Sequence, residues 1–256
     1  MEQPRIVTTS WDDGDRLDLR LAEILHSRGM RGTFYIPITP YLGRPPLRPA
    51  ELRELSSGGF EIGAHGLSHK FLWKLSPPEL AAEIDPCKPA LEDILGTEVK
   101  MFCYPRGRYD ANTVRFLKQA GYWGARTVRM LATRSDFDPF EMPTTVQAAP
   151  NPRFSYVKNV ARAQKVEGLR TFLAQMTRLG DWVELGKKLF DSVLQNGGIW
   201  HLWGHSWEIE ERNGWHHLEE ILDYVSKREG VTYVSNRELI PLSSRQISKE
   251  RQNYGL

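Results

Sequence analysis

Glu61-Ile-Gly-Ala-His65-Gly-Leu-Ser-His69 is the stretch from which this chain can be read. Phe60 to Ala64 reads as a short buried strand. The two imidazoles after it, four residues apart, are expected on one face of a single helical turn, spaced to grip one metal ion. A second cluster, Ser10-Trp11-Asp12-Asp13-Gly14, ends another β-branched run, Ile6 to Ser10. Its adjacent carboxylates can add an anionic ligand and, beside it, a base acting on water. Compatible clusters at the ends of two strands point to an alternating α/β fold, where ligands gather at strand ends, and to a hydrolase.

Working outward, strand and helix alternate. Leu17 to Arg28 reads as a helix closed by Gly29, Gly32 to Pro37 as a strand, and Ala50 to Ser56 as a short helix behind a Pro-rich loop. Pro77 to Leu95 reads as a helix broken or kinked near Pro86 and Pro89 and stopped by Gly96. Val99 to Tyr104 and Tyr122 to Val128 read as strands with a helix, Asn112 to Ala120, between them. Asp136 to Pro152 carries few periodic signals. Val166 to Leu179 and Val183 to Gln195 read as helices, the second capped by Asp181. Ile199 to Trp203 reads as a strand, Trp215 to Arg228 as a helix and Val231 to Val234 as a final strand. Two further polar clusters then fall at strand ends, Pro105 to Tyr109 and His205. No repeat or linker divides the chain, so residues 1–242 are expected to form one catalytic domain and 243–256 a polar tail.

Composition narrows the partners. A chain of 256 residues is ordinary for one α/β barrel. Its 34 basic and 32 acidic residues leave a net charge of +2, with no block of like charge to mark a nucleic-acid footprint or a polybasic membrane patch. The N-terminus has no apolar signal region and no run approaches a membrane span, so a cytoplasmic location is expected. Cys87 and Cys103 fall in a helix and a strand and are expected to be reduced thiols.

These residues resemble the polysaccharide deacetylases of carbohydrate esterase family 4. Ser10-Trp-Asp-Asp-Gly14 is similar to that family's first motif, Thr-Phe-Asp-Asp-Gly, and His65-Gly-Leu-Ser-His69 to its His-x-x-x-His motif. Phe102-Cys-Tyr-Pro-Arg-Gly107 resembles the third motif, Phe-Arg-x-Pro-Tyr-Gly, and Ile199 to His205 sits where a late strand delivers a catalytic histidine. The resemblance implies a distorted (β/α)7 barrel and removal of an N-acetyl group from an amino sugar, oligosaccharide or glycan precursor. It implies that Asp13, His65 and His69 bind a divalent metal, Zn2+ first and Co2+ as an alternative, with Asp12 as general base and His205 as general acid. Tyr104, Pro105 and Arg106 are implied at the oxyanion and substrate.

Departures matter too. The third-motif arginine that orients the catalytic Asp aligns with Cys103, and the motif's tyrosine with Arg106. Arg106, Arg108 and Arg126 all lie near strand ends and are each able to substitute. Plain structural alternatives stand beside every signal: Asp-Asp-Gly favours turns, Asp181-Trp182 caps a helix as simply as it matches a fourth motif, and the tryptophans from Trp200 to Trp215 suit a core. His201 shares a strand face with His205 and competes with it for the acid role, or orients it. Two other classes stay open, a metal amidohydrolase acting on a non-sugar amide, imide or formamide, and a non-catalytic carbohydrate-binding homologue.

Overall fold

The computed structural model describes residues 3–150 and 181–242. Its centre is β1 (Arg5–Asp12), buried along its length from Ile6 onward. Burial on both faces is tolerable because the strand is paired on both edges, which satisfies its backbone groups. β7 (Gly198–Gly204) runs parallel to it from Arg5 to Trp11. On the other edge, β8 (Val231–Tyr233) pairs with Arg5–Val7 and β2 (Thr33–Ile36) with Ser10–Asp12. Beyond β2 follow β3 (Glu61–Ala64), β4 (Met101–Cys103) and β5 (Gly124–Arg126), and beyond β7 follows β6 (Val146–Gln147), all parallel.

The sheet curls until its edges nearly meet. Arg126 at the end of β5 bridges Met142, and the same segment runs on into β6 against β7. This is the distorted α/β barrel expected from the resemblance. Its irregularity lies between β5 and β6, which are joined through a 3-10 turn at Pro139–Glu141 rather than a crossover helix.

Strand parity sorts side chains into two layers. Ile6, Tyr35, Met101, Cys103 and Ile199 fill the barrel interior. Val7, Trp11, Phe34, Ile62, Phe102, Trp200 and Leu202 face outward under the helices. The inward parity carries Asp12, Cys103 and Arg126 to the top of the interior, at the C-terminal ends of their strands, with His201 below.

The helices covering the outer layer are α1 (Asp18–Ser27), α2 (Pro49–Ser57), α3 (Pro77–Ile84), α4 (Cys87–Leu95) and α5 (Ala111–Gln119), then α6 (Trp182–Asn196), α7 (Ser206–Glu211) and α8 (Trp215–Val225). Each long one buries an apolar stripe, such as Leu21 and Leu25 in α1, worth about 1.5–3 kcal/mol per large side chain. The expected Pro77–Leu95 helix is two helices. Pro86 cannot supply the amide hydrogen that would continue α3, and α4 restarts after it and ends at Gly96, with φ of 68°. Asp181 caps α6 by accepting from the amides of Val183 and Glu184.

Three elements differ from expectation. The strand expected at Tyr122–Val128 is only Gly124–Arg126, and β6 and α7 carry no pattern because each is too short to complete a period. The helix expected at Val166–Leu179 and the tail 243–256 lie outside the described residues. No helix among those described is long and apolar enough to cross a membrane.

Candidate metal and catalytic site

The two histidines are not on a helical turn. Residues 65–70 form a bend leaving β3, in which Gly66 takes φ of 82° and His69 takes φ of 57°. That correction follows from what holds the segment: Glu83 of α3 reaches in, accepting from the amide and hydroxyl of Ser68, while its carbonyl accepts from the Leu67 amide. The bend, rather than helical spacing, brings the rings together, with centroids 4.8 Å apart. Asp13 and Arg106 also have positive φ, 79° and 56°, so backbone strain gathers around this point.

Asp13 sits between the imidazoles. Its Oδ1 lies 3.6 Å from His65 Nε2 and 3.5 Å from His69 Nε2, and it is buried without a hydrogen-bond partner. Its Oδ2 accepts from Trp207 Nε1 at 2.9 Å. His65 Nδ1 is 2.9 Å from the Cys103 carbonyl, which can only accept; Nδ1 therefore carries a hydrogen, and Nε2 is the ring atom that faces Asp13. Burial, and then the neighbouring His65, press the His69 pKa down to about 3, keeping the His69 ring neutral. Ligands about 2.0–2.1 Å from one tetrahedral ion stand about 3.4 Å apart, so these separations and the orphaned oxygen fit a divalent metal.

Asp12 lies beside this pocket and is tied differently. Its Oδ1 is ion-paired with Arg126 Nη2, and its Oδ2 takes the Cys103 thiol at 3.6 Å. Burial alone would raise the Asp12 pKa, but the Arg126 charge and hydrogen bond, together with the nearby His65 and His205, outweigh it and hold the carboxyl at about 2. The guanidinium is fully buried, 4.8 Å from the Trp203 ring and 5.4 Å from Tyr35. Of the three arginines able to replace the missing third-motif arginine, Arg126 is the one that meets Asp12. Cys103 and Arg126 are register partners on β4 and β5, so the cation arrives from the neighbouring strand.

His205 closes the far side. Its Nε2 is 3.8 Å from Asp13 Oδ2, and its Nδ1 is 3.3 Å from Glu208 Oε2. Burial opposes its positive charge, yet the Glu208 hydrogen bond and the Asp12 and Asp13 carboxylates turn the net shift upward. His201 lies deeper: its Nδ1 donates to the Pro143 carbonyl at 3.1 Å, its Nε2 is 2.8 Å from Ser10 Oγ, and burial lowers its pKa to about 3.

Residues 2–125, close to half of the chain, match the model of the polysaccharide deacetylase family. Over those residues the chain is similar to that family. YxkH of Bacillus subtilis (strain 168) is 24% identical over 119 residues, 46% of this chain and 43% of that protein, so the match spans under half of the curated relative. The chitin deacetylase of the fungal pathogen Colletotrichum lindemuthianum superposes with a TM-score of 0.62 at 18% identity, over 93% of this chain and 88% of that one. A family 4 acetyl xylan esterase from Clostridium thermocellum, in complex with a cobalt ion, superposes with a TM-score of 0.56 at 17% identity, over 93% and 91%. At such identities these structures establish the barrel and no more.

Within this barrel, the residues named from sequence separate. Asp12, Asp13, His65, His69, His205 and Arg126 converge. Tyr104 turns away from the site instead, into the layer under the helices: it is fully buried beside Phe102, its hydroxyl donates to the Phe140 carbonyl and its amide to that of Arg126. Neither its side chain nor its amide is offered to a substrate. Pro105 is buried and has no amide hydrogen, while Arg106 and Arg108 point toward exposed Phe71 and Trp73. Trp200, Trp203 and Trp215 are buried as expected of core residues. Trp207, grouped from sequence with the core tryptophans, is only half-buried and reaches Asp13, and Glu208 and Glu83 reach the site without having been singled out; the partners of the three are 194, 3 and 15 residues away in the chain. Only the Glu208 spacing was open to a local reading, as an i, i+3 neighbour of His205.

Proposed function

We propose that the protein is a divalent-metal-dependent N-deacetylase acting on an N-acetylated carbohydrate. The observation that carries this reading is Asp13 Oδ1, buried, unpartnered and flanked by two imidazole nitrogens. Asp13, His65 and His69 would hold the ion through one oxygen and two nitrogens, zinc or cobalt suiting that mixed set. When bound, such a cation supplies Lewis acidity, polarising the acyl oxygen and lowering the pKa of a water.

The protein's own groups do the rest. Asp12 stays ionised at any working pH, and Arg126 fixes its orientation by occupying Oδ1. Its Oδ2, engaged only by a weak thiol donor, is the atom that takes the proton from the attacking water. The Arg106 amide is the main-chain donor proposed for the oxyanion. His205, whose charged form the Glu208 hydrogen bond favours, gives Nε2–H to the departing nitrogen, because an amine leaves poorly as an anion. Trp207 keeps Asp13 aimed at the histidines, leaving Oδ1 free. Products are acetate and a free amino sugar.

The test is acetate release from a panel of N-acetylated monosaccharides, nucleotide sugars and oligosaccharides, using protein stripped with chelator and then given zinc or cobalt. Metal-restored release from a sugar supports the reading. Turnover confined to non-sugar amides, or none with metal bound, overturns it.

A further inference from the structure

We propose that the loops leaving β3 and β4 form an anion-binding platform, so that the carbohydrate taken by this site carries an acidic group, a carboxylate or a phosphate, near its N-acetyl sugar. This rests on the deacetylase reading and adds the charge of the substrate. Phe71 and Trp73 remain 37% and 39% exposed, uncommon for side chains of this size. Cations cover both rings. Arg106 Cζ is 4.8 Å from the Phe71 centroid, Arg108 Cζ is 5.8 Å from Trp73, and Lys74 Nζ stands 5.6 Å from the first and 5.2 Å from the second.

Most cations elsewhere on the described surface answer a carboxylate, as Arg28 does Asp223 and Arg129 does Glu141. Among the described residues, no carboxylate pairs with Arg106, Arg108 or Lys74. A guanidinium near a ring face is positioned by the ring quadrupole while its N–H edge stays available, and that edge matches a carboxylate or phosphate. The rings themselves suit the C–H face of a sugar. Three unneutralised charges interleaved with two aromatic rings therefore recognise an acidic glycan.

The platform is also placed correctly. Phe71 is two residues past His69, and Arg106 three past Cys103, whose thiol touches Asp12; at 3.8 Å per residue these Cα atoms lie within about 8 Å and about 11 Å of their site neighbours. Both loops leave the C-terminal ends of their strands, the face that carries the candidate metal ligands.

The experiment compares matched N-acetylated oligosaccharides that are neutral, uronate-bearing or phosphate-bearing. One charge-assisted hydrogen bond is worth about tenfold, so KM should be about tenfold lower for an acidic substrate at low salt, with the advantage fading as salt screens it. Arg108→Gln/Lys74→Gln should raise KM for the acidic substrate more than for the neutral one, whereas Arg228→Gln, at the opposite end of the strands, should leave that ratio unmoved. The uronate and phosphate arms identify which oxyanion is read. Equal KM for neutral and acidic substrates, salt independence, or equal damage to both by the double variant overturns the proposal, as does tighter binding of a single-stranded oligonucleotide. If no sugar releases acetate, the deacetylase reading fails by itself; calorimetric binding of the acidic and neutral glycans then tests the platform alone.

Discussion

Replacing Arg126 with methionine would leave Asp12 buried without a counter-ion. Breaking one side of a buried pair costs about 3–5 kcal/mol, because the remaining charge keeps its desolvation penalty and loses its partner. The intact pair supplies a check on that scale. Asp12 titrates at about 2 instead of 3.8, which corresponds to about 2–3 kcal/mol of native stability. A depressed carboxyl pKa contributes stability that is fully present above pH 3.8 and is lost as pH falls through about 2. In Arg126→Met the largest opposing influence is gone and burial dominates, so the folded pKa of Asp12 moves above its unfolded value. Its contribution then reverses: the variant gains stability as pH is lowered from 7 toward 4 and Asp12 takes up a proton. The difference between wild type and variant should be about 3–5 kcal/mol at pH 7 and smaller at pH 4, read from urea unfolding followed by circular dichroism. Asp12→Asn/Arg126→Met removes both charges, and also the Arg126 Nε and Nη1 donors that are buried without partners, and should recover most of the loss. A difference under about 1 kcal/mol at pH 7, or one that does not change between pH 7 and 4, would refute the pairing as the source of stability.

Three further outcomes are expected. Elemental analysis of His65→Ala/His69→Ala should find the divalent metal lost, while Asp12→Asn keeps it and loses turnover; undiminished metal in the double variant removes these ligands from consideration. Glu208→Gln should lower the His205 pKa, and since a general acid works only while protonated, the alkaline limb of the rate profile should move to lower pH; an unmoved limb would detach Glu208 from the acid, and His205→Ala should cost about 10²–10⁴-fold on an acetamide with less loss on an activated acetyl ester. Glu83→Ala strips two hydrogen bonds from Ser68 and should weaken metal binding by about 10–100-fold, as loss of a supporting residue does, measured by competition with a chromophoric chelator; wild-type affinity would mean that the bend holds its shape alone.

What the sequence determined by itself was local chemistry at strand ends. The β-branched run into Asp12-Asp13, the apolar run into His65 and the run from Ile199 into His205 were legible because strand parity and burial are written in neighbouring residues. So were the caps at Asp181 and Gly96 and the break at Pro86, where one residue's covalent structure fixes the backbone. Tertiary structure decided which of three arginines meets Asp12, because that choice depends on Cys103 and Arg126 lying side by side on adjacent strands. It replaced the expected helical turn at His65 and His69 with a bend, since Glu83 on a later helix supplies the hydrogen bonds a helix would have made internally. It also buried Tyr104 in the layer under the helices and brought Trp207 onto Asp13. Such contacts join residues far apart in the chain, and their energy exists only once the barrel has closed and excluded the water that would otherwise satisfy each group.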